Sequence, residues 1–307
     1  MSFDPYRDDR FYPPRNFANL EPAFSAYAGS RVAVLPVPYD STTTARAGAR
    51  EGPMAIIDAS ADMELFDLVL ERETYRAGIT TLPEIAPNLG SPAAMIDRIR
   101  SVVDSLLGDG KFVVTLGGEH TVAVAPVRAH AARYENLSVL AFDAHADMRP
   151  AYLDTEYNHA CTLRRSLEAV GGVRQDGSRP RLVHVGLRSA EREEYAFLLN
   201  HNIPIFPAHR YRELTNGPEQ VAELLTDNVY VTIDIDCLDS SLMPAVGTPE
   251  PGGLTWWDVT GVLAAVARRR RIVGFDITEL APDYGTRANA QLVAKLAYRT
   301  IGLALRE

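Results

Sequence analysis

Residues 138–147 read SVLAFDAHAD. The first five are apolar on both faces of an extended chain, the mark of a strand inside a covered parallel sheet. The last five place Asp143, His145 and Asp147 at alternate positions directly after it. Side chains two apart on extended backbone point the same way, so the three are expected to converge where the chain leaves the sheet. Working outward, similar runs appear at 31–37, 112–116, 182–186, 229–235 and 272–277, with weaker ones near 79–82 and 203–206. Helical patterns fall at 53–60, 92–107, 121–133, 160–170, 190–200, 217–226, 255–270 and 286–305. In the second of these, Ile96, Ile99, Val103 and Leu106 form one stripe, and Ser91-Pro92 is a capping and first-turn pair. This alternation predicts an α/β fold with one doubly covered, mostly parallel sheet. Residues 1–30, with adjacent Pro13 and Pro14, read as an irregular N-terminal arm, and 31–307 as a single domain.

Open sheets of this kind bind ligands at the carboxyl ends of their strands. The chemistry-bearing residues cluster there. Gly117-Gly118-Glu119-His120 follows one strand, and Asp234, Asp236 and Asp239 close another. Asp276 and Glu279 end a third. Asp234 and Asp236 are expected to share the alternating geometry of the first motif. Carboxylates gathered out of water raise each other's pKa and need a compensating positive charge. His120, Asp143, His145, Asp147, Asp234 and Asp236 supply donors for two divalent metals if some carboxylates bridge. An oxygen-rich set with one imidazole per ion and no thiolate favours manganese over zinc.

GGEH, DAHAD and DIDCLDSSLMPAVGTPEPGGLT resemble the three signature regions of the ureohydrolase family, which includes arginases and agmatinases. The similarity runs from about residue 30 to the C-terminus and takes in VPYDSTTTARAGAREGPMAI, NHACTLRR, VGLRS and GFDITELAP. The agmatinase-like branch is the nearest. The resemblance implies a three-layer αβα sandwich around an eight-stranded parallel sheet, a homotrimer or homohexamer, and two manganese(II) ions per chain. It implies that His120, Asp143, Asp147 and Asp234 hold one ion and Asp143, His145, Asp234 and Asp236 the other. It implies a small cationic guanidino substrate, hydrolysed to urea and an amine by metal-activated solvent. Asp147 and His159 would then move protons, and Glu279 would hold the guanidinium.

The segment MRPAYLDTEYN (148–158) lacks the Asn and Ser/Thr pattern by which arginases hold an α-carboxylate. Agmatine is therefore the first expectation, with Asp154 and Glu156 favouring an amine tail. Arg149 argues for a carboxylate tail such as that of guanidinobutyrate, unless it forms an ion pair. Aminopropylagmatine and arginine are the other candidates. A non-catalytic, metal-dependent assembly protein is the contrasting class, and complete donor sets together with Glu279 argue against it. A single-metal zinc deacylase would leave His120 superfluous.

The remaining features exclude more than they assign. The 307 residues carry a formal net charge of −9, with 46% hydrophobic and 23% charged residues. That balance argues against a nucleic-acid or membrane partner, and Arg268–Arg271 is expected to close a helix. The N-terminus has no apolar signal core, and two cysteines are too few for a disulfide framework, so the expected compartment is the cytoplasm. Cys161 and Cys237 read as small buried thiols, Cys237 turned from the metals by strand alternation. No G-x-S-x-G or G-x-G-x-x-G occurs, which disfavours serine-hydrolase and dinucleotide readings.

Overall fold

The run at 138–142 is a strand, and it lies near the middle of an eight-stranded sheet. The computed structural model describes residues 15–173 and 181–305; Pro13 and Pro14 lie outside them. In chain order the sheet strands are β1 (Val32–Val37), β2 (Ile79–Thr81), β3 (Phe112–Gly117), β4 (Ser138–Phe142), β5 (Leu182–Val185), β6 (Ile205–Phe206), β7 (Asn228–Asp234) and β8 (Arg271–Thr278). Their spatial order is β2-β1-β3-β8-β7-β4-β5-β6. Every pairing is parallel, which fits strands that are apolar on both faces.

Alternate strand residues feed apolar clusters on the two faces of the sheet, one on the first face and two on the second. Val32, Val34, Val114, Leu140 and Val231 pack with the helices at Gly52–Ser60, Gly217–Leu224, Trp256–Arg269 and Arg287–Ala304. Ala33, Leu35, Val113, Val139 and Tyr230 face the helices at Pro92–Gly108, Val124–Arg133, Thr162–Ala169 and Arg192–Asn200. The result is helices on both sides of one sheet. Ser91 caps its helix by accepting a hydrogen bond from the Ala94 N–H. The arginine run closes the helix ending at Arg269, and Arg268, Arg269 and Arg270 pair with Glu219, Glu223 and Asp227. No described helix is long and apolar enough to cross a membrane.

The small elements carried no usable periodicity. They include an antiparallel ribbon, Phe66–Asp67 with Arg72–Glu73, and a helical turn at Ala208–Tyr211. Phe17, Ala18 and Leu20 are buried in the larger core, so apolar contacts order this stretch where sequence pattern does not.

Candidate active site

Four adjacent strands deliver the four motifs. β3, β8, β7 and β4 are neighbours at the sheet centre, and the chain leaving their carboxyl ends carries His120, Glu279, Asp234 with Asp236, and Asp143 through Asp147. Gly118 permits the first exit, because a Cβ there would overlap the Tyr39 backbone. The exits differ from simple strand alternation. Asp147 sits at φ 48°, in the left-handed region that non-glycine residues seldom occupy. Ile235–Cys237 is a 3-10 turn, not strand. The turn, not pleat alternation, therefore orients Asp236 and buries Cys237 among apolar side chains. Arg188 pins that turn, donating to the carbonyls of Asp236 at 2.7 Å, Leu238 at 3.1 Å and Glu250 at 2.8 Å.

All six expected donors meet. His120 Nδ1 lies 2.9 Å from Asp147 Oδ2, 3.2 Å from Asp143 Oδ2 and 3.6 Å from Asp234 Oδ2. His145 Nδ1 lies 2.9 Å from Asp236 Oδ2 and 3.7 Å from Asp143 Oδ1. Asp143 thus turns one oxygen to each imidazole. Two groups, His120–Asp143–Asp147 and Asp143–His145–Asp236, each bring their ligand atoms within 4.8 Å of one another.

The electrostatics show what the cluster lacks. Burial and the neighbouring Asp147 and Asp236 push Asp143 up to about 6, and burial with Asp236 and Asp143 raises Asp234 well above its ordinary value. Burial opposes charge on His145, yet Asp236 raises it to about 10. Burial likewise opposes charge on His120, and Asp143 and Asp147 override it. Burial works against ionised Asp236, but His145 brings it down to about 2. In the metal-free protein, protons on the imidazoles stand where cations belong. With both imidazoles neutral, four carboxylates balance two divalent ions, so the donor set fits a dinuclear centre.

A buried polar row supports His120 from beneath. Thr115, Asp276 and Thr232 are register partners across β3, β8 and β7. Thr232 Oγ1 donates to Asp276 Oδ1 at 2.8 Å. Its one hydrogen is then used, so its oxygen accepts from His120 Nε2, 3.0 Å away. The imidazole is thereby oriented with Nδ1 toward the carboxylates, the kind of support metal-binding histidines use. Asp276 was visible in the sequence as a strand-end acid, but its partner depends on strand order.

Glu279 and His159 line the same cavity of about 440 Å³ as His120, His145, Asp147, Asp234 and Asp236, with Asp143 buried behind them. Glu279 Oε1 accepts from the His120 backbone N–H at 2.7 Å, and burial with the nearby Glu119 raises its pKa to about 8. A cation against it would restore its ionisation. His159 Nδ1 lies 2.9 Å from the Thr42 carbonyl. A carbonyl only accepts, so Nδ1 carries the hydrogen and Nε2 keeps a lone pair. Burial lowers the His159 pKa. Glu119 fastens this arrangement. Its buried carboxylate accepts from Thr42 N and Thr42 Oγ1, each at 2.8 Å, and from Thr43 Oγ1. The sequence assigned it nothing. Cys161 is buried, and burial raises its thiol to about 11, which suits packing and not nucleophilic attack.

The tail end of the cavity corrects two expectations. Asp154 and Glu156 do not line it; Glu156 pairs outward with Arg165 at 3.2 Å. The acidic wall is Glu191 and Glu194, and Arg149 is ion-paired to Glu191 at 3.0 Å.

The sequence matches the family model described as Arginase family over residues 30–302. This chain belongs to the arginase family. A relative from Synechocystis named N(1)-aminopropylagmatine ureohydrolase is 36% identical over 299 residues, 94% of this chain and 94% of its own. A Pyrococcus horikoshii protein named agmatinase is 32% identical, covering 89% of this chain and 92% of its own. The crystal structure of an agmatine ureohydrolase of Thermoplasma volcanium superposes with a TM-score of 0.84 at 29% identity, covering 96% of both chains. The eight-stranded parallel sheet with flanking helices is thus the arginase-family fold.

Proposed function

We propose that the protein is a dinuclear manganese ureohydrolase that cleaves N1-aminopropylagmatine, with agmatine as the second substrate. The observation that carries the reading is the gathering of six donors into one cluster, five of them lining a cavity together with Glu279. The order of substrates reverses the sequence expectation, because the 36% identical relative bears the aminopropylagmatine name and the agmatinase relative stands at 32%.

His120, Asp143, Asp147 and Asp234 would hold one ion, and Asp143, His145, Asp234 and Asp236 the other. When bound, such a pair lowers the pKa of a solvent molecule and offsets charge at the reacting carbon. Glu279, held by the His120 amide, accepts the guanidinium N–H groups and fixes the plane of the fork. The balanced reaction adds water to the guanidinium carbon, breaks the bond to the alkyl nitrogen, and yields urea and an alkylammonium. Asp147, against His120 in the cavity wall, accepts a proton from the attacking water. Asp147 hands that proton to the departing nitrogen, and His159 Nε2, whose lone pair lies 3.4 Å from Thr44 Oγ1, takes the second proton from the added hydroxyl and relays it to the same nitrogen, which leaves as the alkylammonium. Both roles are ours, as are the division into an arm at 1–30 and a domain at 31–307, a cytoplasmic location, and a homotrimer or homohexamer, which sedimentation equilibrium tests.

The test is urea release from manganese-loaded protein with N1-aminopropylagmatine, agmatine, guanidinobutyrate and arginine. We expect the highest kcat/KM for the first and the lowest for arginine. Arginine as the best substrate would reverse the assignment, and no urea from any of the four would leave the metal-dependent assembly protein.

A further inference from the structure

We propose that Arg149 is a tethered stand-in for the distal ammonium of the substrate, and that the wall it occupies selects guanidines with a cationic tail. This rests on the ureohydrolase reading. Arg149 stands two residues after Asp147, and its backbone N–H is fixed to the Ala160 carbonyl at 3.2 Å. Its guanidinium meets three partners. Nη2 lies 3.0 Å from Glu191 Oε1, Nε lies 3.8 Å from Glu194 Oε2, and Cζ lies 4.3 Å from the centroid of the Tyr152 ring. A carboxylate pair beside an aromatic face is a general cation receptor, since the ring's quadrupole attracts positive charge. All four residues line the cavity that contains Asp147, His159 and Glu279. Tyr152 also meets the His159 ring edge-on, with centroids 6.4 Å apart, so the receptor adjoins the reacting end.

The charge count fixes what this wall admits. Two carboxylates face one guanidinium, so the wall stays acidic with Arg149 in place. A carboxylate tail would have to draw Arg149 off two acids and then face both. An ammonium tail can replace Arg149 cation for cation and leave no acid unpaired. The partners differ in mobility, which lets the exchange happen. Glu194 is buried and held by the backbone N–H groups of Met148 and Glu191. The Arg149 side chain is 29% exposed, so its guanidinium has a way out to solvent while Glu194 stays in place. A self-occupied receptor binds its ligand more weakly, by the fraction of time it is vacant. Arg149 therefore limits affinity for the tail it resembles.

The experiment compares agmatine with pentylguanidine, which carries a methyl group in place of the ammonium, in the manganese-loaded wild type, Arg149→Met and Glu191→Gln. The readout is the ratio of kcat/KM, cationic tail over neutral tail. Glu191→Gln should lower this ratio about three- to tenfold, the range of a partly exposed ion pair reinforced by an aromatic face. Arg149→Met, which keeps the stem but removes the competing charge, should raise it. A lower ratio in Arg149→Met would show that Arg149 supports the tail and overturn the inference. An unaltered ratio in both variants, with wild type turning over agmatine, would overturn it as well and leave the hydrolase reading intact. A wild type that releases urea from neither compound, nor from N1-aminopropylagmatine run beside them, would overturn the hydrolase reading itself.

Discussion

Thr232 offers the sharpest test of how the centre is built. Its hydroxyl links His120 Nε2, at 3.0 Å, to Asp276 Oδ1, at 2.8 Å, and all three residues are fully buried. Thr232→Val keeps the shape and removes the oxygen. The His120 N–H then has no acceptor, and Asp276, whose Oδ2 already lacks a hydrogen-bond partner among the described residues, loses a donor. Each stranded group costs about 1–3 kcal/mol, so the metal-free protein should lose roughly 2–6 kcal/mol of stability, read from urea denaturation. Released from Thr232, the imidazole is no longer held with Nδ1 toward the carboxylates, and on losing a proton it can keep the one at Nδ1, the atom a metal needs. Losing such outer support costs roughly 10–100-fold in metal affinity, which calorimetric Mn²⁺ titration measures. Thr232→Ser separates this cause from packing. It retains the hydroxyl and gives up one methyl group, at about 0.8 kcal/mol, so its metal affinity should stay near wild type. A valine variant that binds Mn²⁺ within twofold of wild type would refute the reasoning.

Three further outcomes follow from the same geometry. His145 is protonated at neutral pH in the metal-free protein, so its contact with Asp236 stabilises the fold fully below about pH 6.5 and fades as pH rises through about 10. A metal must displace that proton, so Mn²⁺ affinity should climb about tenfold per pH unit for each proton released; titrations at pH 7, 8 and 9 that show no slope would remove His145 as a ligand. Glu279→Gln should bind Mn²⁺ normally yet lose about 30-fold or more in kcat/KM, as breaking a buried charged pair costs about 2–5 kcal/mol; loss of metal instead would make its role structural. His159→Asn should lower kcat about 10²-fold and abolish one limb of the pH profile, and wild-type turnover across pH would take His159 out of proton transfer.

The sheet was legible because every buried strand is a short apolar run and every long helix carries a stripe, so burial wrote the order of elements into the chain. The six donors were legible because they sit immediately after those runs. Thr115, Thr232 and Asp276 were not, since their contact comes from register between strands far apart in sequence. Glu119 was hidden for a related reason: its partners Thr42 and Thr43 come from the loop after β1. The tail wall was misassigned to Asp154 and Glu156 because proximity in sequence stood in for proximity in space. Glu191 and Glu194 reach the cavity only through the helix that follows β5.

The six donors come from segments that begin at His120 and end at Asp236. A ribosome must therefore pass Asp236 before any pair of ions finds its full set of partners. Metal capture is then a late event in the life of each molecule. Because bound ions favour only the finished state, the supply of the metal in the cell would govern how much newly made protein survives quality control, as well as how fast each copy works.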